Sequence, residues 1–326
     1  MKAVVYTNPF EMQFREEVHP VINEGDVLIK VEAVGICGSD MHAYHGHDSR
    51  RQPPLILGHE VCGKALMGKY QGRRVVVDPL ITCGVCSYCK SGRTNLCPDR
   101  ELIGMNRPGA FAELIAMPEK NLIPIPDHLS SQMAALAEPL ATALHGIKLA
   151  GERTNRDRAL VIGGGSIGIL SALLLARQGV DDIYIAETND NRSATANKLG
   201  IATVFNPLTE DLPKPSQIPL VVDAVGYSQT RAMAVKAVAP GGAIVHIGLG
   251  AATGDFDFRT LTLQEVAFYG AYTYTHQDVK EAVAILASGE INCDNWLEER
   301  SLEQGPQAFA DLDKGCSAAA KIILNP

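Results

Sequence analysis

The sequence carries no excess of positive charge: 29 Lys and Arg stand against 37 Asp and Glu, a formal net charge of −8, and no long basic run occurs. Affinity for nucleic acid without sequence preference comes chiefly from Lys and Arg neutralising phosphates, so a general nucleic-acid binder is excluded. Nothing at the start leads us to expect export either. Met1 to Tyr6, followed by Asn8-Pro9, offers neither an apolar core of about 7–15 residues nor a small-residue cleavage site. The longest apolar stretch, Ala159 to Ala176, is interrupted by Gly163, Gly164, Gly165, Ser166 and Gly168, as a strand, turn and helix would be. We read it as buried and expect no membrane partner. Cysteine is also scarce, with 8 in 326 residues. That is too few for a disulfide scaffold, and four of them cluster, which points to a metal and to a reducing cytoplasm. There is no internal repeat and no low-complexity segment.

What is present is the balance of an ordinary globular protein, 46% hydrophobic and 20% charged, in a chain long enough for two domains. Up to about residue 125, Gly and Pro punctuate short β-rich pieces such as Val27 to Val34 and Arg74 to Val77. A helix-like stretch then runs from Met133 to Ala150. Strand and helix alternate beyond it: Ala159–Ile162, Ser166–Gln178, Ile183–Glu187, Asn191–Leu199, Leu220–Ala224, Gln229–Ala239, Ala243–Ile247 and Glu265–Gly270. Such alternation predicts an α/β fold with a six-stranded, doubly wound parallel sheet. The tail holds a helical segment near Val279–Ser288 and ends in the apolar run 320–324, expected to rejoin the first domain.

Cys83, Cys86, Cys89 and Cys97 are spaced C-x2-C-x2-C-x7-C, with Gly84, Gly92 and Pro98 supplying tight turns. Four thiolates this close can wrap one tetrahedral Zn²⁺ and leave no open position, which makes the site structural. Soft thiolates would also suit an iron–sulfur cluster, and redox thiols are the third reading. Further on, Gly163, Gly165 and Gly168 form G-x-G-x-x-G after a strand and at the opening of an apolar helix. The first glycine permits the turn, the second the approach of a pyrophosphate to the backbone at Ser166 and Ile167, and the third close packing. Glu187 follows at the end of the next strand, placed to accept hydrogen bonds from both ribose hydroxyls and to repel a 2′-phosphate. NAD is therefore expected over NADP, with nearby Arg192 as the group that could accommodate a phosphate. Asp223 is read as part of the sheet's carboxyl edge.

Cys37, within Gly35-Ile36-Cys37-Gly38-Ser39-Asp40, and Gly58-His59-Glu60 bring a thiol, an imidazole and a carboxylate into the first part of the chain, the ligand types of catalytic zinc. Taken with the cysteine cluster, Gly109-Ala110-Phe111-Ala112-Glu113, Glu138-Pro139-Leu140-Ala141 and the glycine loop, in this order, they resemble the zinc-containing medium-chain dehydrogenases, notably the sorbitol, idonate and threonine dehydrogenase branch. The resemblance spans nearly the whole chain. It implies a GroES-like, irregular β catalytic domain of residues 1–139 and 275–326, with a structural zinc lobe at about 79–100, and a Rossmann NAD-binding domain of residues 140–274. It also implies two Zn²⁺ per chain and NAD.

By the same resemblance, Cys37 and His59 bind the catalytic Zn²⁺ with Glu60 or Glu138 as third ligand, and Asp40 orients His59 through its other ring nitrogen. Zinc would act as a Lewis acid on an alcohol hydroxyl, hydride would pass to the nicotinamide, and Ser39, the cofactor ribose and His42 would relay the proton. Tyr44 is placed either in the substrate pocket or in packing. The implied activity is hydride transfer between a secondary alcohol or polyol, of sugar-alcohol or sugar-acid type, and NAD. Two departures qualify it. Ala65 to Tyr70 replaces a longer loop, and Thr273 stands about where sorbitol-type enzymes carry an arginine, which puts sorbitol itself in doubt. A zinc-free reductase and an idle NAD-binding sensor are the rival readings. Relatives of this kind are homodimers or homotetramers, and Glu265–Gly270 is the expected contact. Cys62, Cys293 and Cys316 are read as buried, small apolar residues.

Overall fold

The computed structural model describes residues 1–151, 157–291, 293 and 296–326. The chain opens with β1 (Lys2–Asn8), β2 (Glu11–Glu16) and β3 (Asp26–Gly35), then helix α1 (Gly38–Tyr44), β4 (Leu55–Ile56), β5 (Glu60–Ala65), β6 (Arg74–Val77) and β7 (Leu80–Ile81). A short helix α2 (Ser87–Lys90), β8 (Glu101–Leu102), β9 (Leu114–Pro118), β10 (Leu122–Pro124), α3 (Ser131–Ala135) and α4 (Ala137–Ala150) follow. Alternation decides which face β3 buries. Val27, Ile29, Val31 and Ala33 are all buried, while Lys30 between them is exposed. β5 and β6 form an antiparallel hairpin with Cys62 opposite Val76, closed by the short passage that begins at Leu66.

The helix-like stretch expected over Met133–Ala150 is two helices, meeting at Leu136. Proline explains the break. Pro139 has no N–H to bond the carbonyl four residues back, so it is tolerated only in a first turn, where such donors lack intrahelical partners anyway. A new helix therefore starts at Ala137, and Glu138 falls in its first turn.

The second half alternates as the sequence predicts: β11 (Arg158–Ile162), α5 (Ser166–Arg177), β12 (Asp182–Ala186), α6 (Asp190–Lys198), β13 (Thr203–Phe205), β14 (Ile218–Asp223), α7 (Ser228–Ala237), β15 (Val238–His246), α8 (Phe258–Leu263) and β16 (Ala267–Gly270). Its six strands are all parallel, in the order β13-β12-β11-β14-β15-β16. This is the doubly wound arrangement, and the order reverses beside β11, whose carboxyl end is where ligands settle in such sheets. The remaining elements are α9 (His276–Ser288), β17 (Leu297–Ser301), α10 (Gly305–Asp313) and β18 (Lys321–Asn325). β18 pairs antiparallel with β3, Ile323 opposite Gly35, and so extends the sheet of the first half.

Candidate active site

Three side chains from two segments of the first half converge. Cys37 caps the start of α1, and His59 and Glu60 lie at the start of β5. The Cys37 thiol, a His59 ring nitrogen and a Glu60 oxygen lie within 4.8 Å of one another, with His59 and Glu60 buried. Gly35 makes room for this, because a Cβ there would stand 2.0 Å from Glu60 Oε2. Asp40 is fully buried. Its Oδ2 accepts from the Cys37 N–H at 3.0 Å, and its Oδ1 lies 3.5 Å from His59 Nδ1. The other ring nitrogen, Nε2, is 3.5 Å from Ser39 Oγ. Burial opposes charge on the His59 ring, but the Asp40 carboxylate and the Cys37 thiol outweigh it and lift the ring well above the ordinary histidine value. A thiol, an imidazole and a carboxylate at this separation are a donor set that fits zinc.

Glu60 has a second partner that sequence reasoning missed. Lys321, the first residue of β18, is 2% exposed and donates from Nζ to both Glu60 oxygens at 2.6 Å and to the Ile36 carbonyl at 2.9 Å. A lysine opening an apolar terminal run was the only available signal, and nothing in its spacing pointed to residue 60. Glu138 is not one of the three groups that lie within 4.8 Å of one another, but its buried carboxyl feels the charges of His59 and Glu60. Burial, and then the charge of Glu60 against the opposing pull of His59, push its carboxyl up to about 7. The buried Tyr274 hydroxyl faces it, and that phenol is raised well above its ordinary value by burial and by Glu138.

His42 lies one turn beyond Ser39 on α1, half-buried, and burial together with His45 and His47 lowers its ring below the ordinary value. Behind Ser39, buried Arg51 reaches Ser39 Oγ at 3.4 Å, the Gly104 carbonyl at 3.0 Å and Asp48 at 2.6 Å.

In the cysteine lobe the four sulfur atoms also lie within 4.8 Å of one another, Cys83 standing 3.6 Å from Cys97 and 4.0 Å from Cys89. A tetrahedron with Zn–S bonds of about 2.3 Å has edges of roughly 3.8 Å, so this cage fits zinc. The Cys86 and Cys89 N–H groups each donate to a sulfur at 3.4 Å. Backbone N–H groups of Val85 and Cys86 draw the Cys83 thiol down to about 7.

At the carboxyl end of β11, Gly163 has φ +102°, open to glycine alone, and a Cβ on Gly168 would sit 1.8 Å from the Gly163 carbonyl oxygen. Gly165 caps α5 with ordinary extended backbone, and a Cβ there would meet nothing within 4 Å. The opening turn of α5, with its outward N–H groups at Ser166, Ile167 and Gly168, thus faces open space, a fit for a pyrophosphate. Ser166 Oγ is committed elsewhere, donating to the Ala320 carbonyl at 2.6 Å, so only its backbone is offered to a ligand. Glu187 accepts from the N–H groups of Gly164, Thr188 and Asn189 at 2.8 Å and from Arg192 at 3.0 Å on both oxygens. Arg192 is thereby tied to Glu187 instead of standing free for a phosphate.

Residues 23–127 match the family model described as alcohol dehydrogenase GroES-like domain, and residues 166–288 match that of zinc-binding dehydrogenase. The chain is 30% identical to L-galactonate-5-dehydrogenase of Escherichia coli K12, covering 92% of this chain and 91% of that protein. The chain belongs to the zinc-containing alcohol dehydrogenase family. Another member, D-arabitol-phosphate dehydrogenase of Enterococcus avium, is 30% identical over 97% of this chain and 95% of its own length. Among solved structures, one described as a short chain alcohol dehydrogenase from Escherichia coli CFT073, complexed with the cofactor NADH, matches with a TM-score of 0.90 at 26% identity, covering 100% of this chain and 99% of that one.

Within this family fold the remaining candidates find plainer places. Tyr44 is buried between Phe10 and Phe309, at centroid distances of 5.6 and 5.5 Å, so it packs. Asp223 is buried at the end of β14, accepting from Val225 and Gly226 N–H and from Thr230. Cys62 and Cys293 are buried, and burial pushes the Cys62 thiol up to about 12. The expectation of burial fails for Cys316, which is exposed because it lies in the turn after α10, where its thiol reaches the Lys314 carbonyl.

Proposed function

We propose that this chain oxidises a secondary alcohol or polyol, of sugar-alcohol or sugar-acid type, by hydride transfer to NAD, with Cys37, His59 and Glu60 holding the catalytic zinc and Cys83, Cys86, Cys89 and Cys97 a structural one. The observation that carries the reading is the convergence of the first three ligand atoms within 4.8 Å. Zinc bound there supplies Lewis acidity to an alcohol oxygen. Glu60 is the third ligand by proximity, while Glu138, facing Tyr274, borders the open position. Ser39 and His42 carry the released proton outward, and the lowered His42 value leaves its ring neutral and able to accept near pH 7.

The turn at Gly163, Gly165 and Gly168, with the Ser166 and Ile167 N–H groups, cradles the dinucleotide, and Glu187 with Arg192 meets the adenosine ribose. The kinds of substrate named for the two curated relatives, a sugar acid and a polyol phosphate, support the substrate class. Residues 1–139 and 275–326 form the catalytic unit and 140–274 the nucleotide unit, so the cleft lies between them. Among the described residues no helix is long and apolar enough to cross a membrane. A cytoplasmic homodimer or homotetramer joined through β16, where Phe268 is exposed at the sheet edge, completes the reading.

Elemental analysis of the purified protein and of Cys37→Ala, with NAD⁺ reduction assayed against a panel of secondary alcohols and polyols, tests it. Two zincs per chain falling to one, with turnover lost, supports the assignment. One zinc in both proteins and no turnover on any alcohol would transfer the chain to the zinc-free reductase or sensor reading.

A further inference from the structure

The segment that leaves β16 and enters α9 is under strain. Thr273 has φ +47°, a left-handed conformation costly for a β-branched residue, and its buried Oγ1 has no hydrogen-bond partner among the described residues. The neighbouring Tyr274 hydroxyl is likewise buried, with the Glu138 carboxyl as the group it faces. Strain of this kind persists only where the surroundings over-determine it. Here they do so from the cysteine lobe.

Asn95, 3% exposed and two residues before Cys97, donates through Nδ2 to the Tyr272 carbonyl at 2.9 Å and lies 3.3 Å from His145 Nε2. His145 Nδ1 lies 2.9 Å from Asp278 Oδ2. An Nδ1–H ring leaves Nε2 bare to accept, so both Asn95 amide protons are used. Arg100 grips the other end of Tyr272, donating to its hydroxyl at 3.2 Å with the guanidinium 4.8 Å from the ring centroid. Thr94 Oγ1 accepts from the His276 N–H at 3.2 Å, and His276 Nδ1 is 2.7 Å from Asp78. Lobe residues on both sides of the fourth thiolate thus pin both flanks of the strained pair.

We infer that Asn95 is a positioning residue for the alcohol pocket, holding the Tyr272–Tyr274 turn so that the buried Tyr274 hydroxyl stays turned toward Glu138, with the Thr273 hydroxyl left unpaired among the described residues. The four-cysteine lobe then shapes the pocket wall as well as stabilising the fold. The inference rests on the zinc dehydrogenase reading for the identity of the pocket, but not for the contact network.

Asn95→Asp tests it, since aspartate keeps the shape and loses both donors. Amide hydrogen exchange at residues 272–276 of the zinc-loaded protein is expected to rise roughly fivefold to tenfold, the size of one lost hydrogen bond. Exchange across residues 83–97 and the zinc content should stay at wild-type values. With the panel alcohols, KM should rise by about the same factor with NAD⁺ affinity unchanged, and in a Tyr274→Phe background the same substitution should add less than about twofold. Arg100→Met, which spares the buried amide, should show the same pattern more weakly. Unchanged exchange at 272–276, or effects of Asn95→Asp and Tyr274→Phe that multiply in full, would overturn the inference. A wild-type protein that turns over no alcohol while its Asn95→Asp variant still loosens 272–276 would sink the dehydrogenase reading and the pocket role together, leaving the contact network standing.

Discussion

Lys321 and Glu60 are 261 residues apart in sequence and joined at 2.6 Å in the interior, the lysine 2% exposed and the glutamate not at all. One ammonium spans both carboxylate oxygens. The pair fixes the face that Glu60 presents toward Cys37 and His59, and it closes the sheet by tying β18 to β5 across β3. Removing one partner of a buried pair leaves an uncompensated charge. Lys321→Met is therefore expected to cost about 3–5 kcal/mol of unfolding free energy and to lower zinc occupancy at the Cys37 site but not in the cysteine lobe. Chemical denaturation and metal analysis of the variant check both parts. Wild-type stability would mean that Glu60 is not left as an uncompensated buried charge.

Two glycines of the same loop separate folding from binding. Gly168→Ala places a methyl group 1.8 Å from a backbone oxygen that cannot withdraw, so the loop must open and the protein should lose both thermal stability and NAD binding. At Gly165 the backbone is ordinary and the space empty, so Gly165→Val should lose only the helix-cap preference of glycine over valine, about 1 kcal/mol, and melt far closer to wild type than Gly168→Ala. It should nevertheless bind NAD at least about tenfold more weakly, a loss of some 1.4 kcal/mol, because its side chain fills the phosphate's place. Differential scanning fluorimetry and titration calorimetry on the two variants distinguish the cases. Equal melting temperatures for both would remove the packing explanation of Gly168.

Asp278 gives the stability a pH dependence of known sign. Burial alone would raise its carboxyl, but hydrogen bonds from His145, Lys148 and Thr275 outweigh burial and hold it well below the ordinary aspartate value. A depressed folded-state value means stability fully present above the unfolded value of about 3.9 and lost as pH falls from there through the folded one. Asp278→Asn should therefore melt several degrees below wild type at pH 7, by roughly 2–4 °C per kcal/mol, with the gap narrowing as pH is taken below about 4. A gap that stays constant across that range would show that the carboxylate's charge is not what stabilises.

The nucleotide-binding half was legible because its signals are local. β11, the glycine turn and α5 are consecutive, and Ala159–Ile162 of β11 is an unbroken, buried apolar run that helices must cover. Two short elements escaped: β13, three residues at the sheet edge with Phe205 alone buried, and α8, six residues with Leu261 alone buried, each too short to leave a pattern. The first half was legible at its motifs and obscure between them. Cys37 and His59 could be named because their neighbours in sequence form recognisable strings. Lys321, Asn95 and Arg51 could not, because each acts on a residue distant in the chain, and neither a lone lysine nor a lone asparagine announces its partner. The break at Leu136 was within reach, since Pro139 marks it, and the helical periodicity on both sides obscured it.

The return of β18 to β3 also sets an order of events during synthesis. Glu60 emerges from the ribosome early, while the cation that balances it is made 261 residues later. At about 5–20 residues per second, that interval is roughly 13–52 s. Throughout it the first sheet has an unfilled edge and a buried carboxylate without its counter-ion. The arrangement of Cys37, His59 and Glu60 seen here is therefore complete only after residues 140–274 have been made.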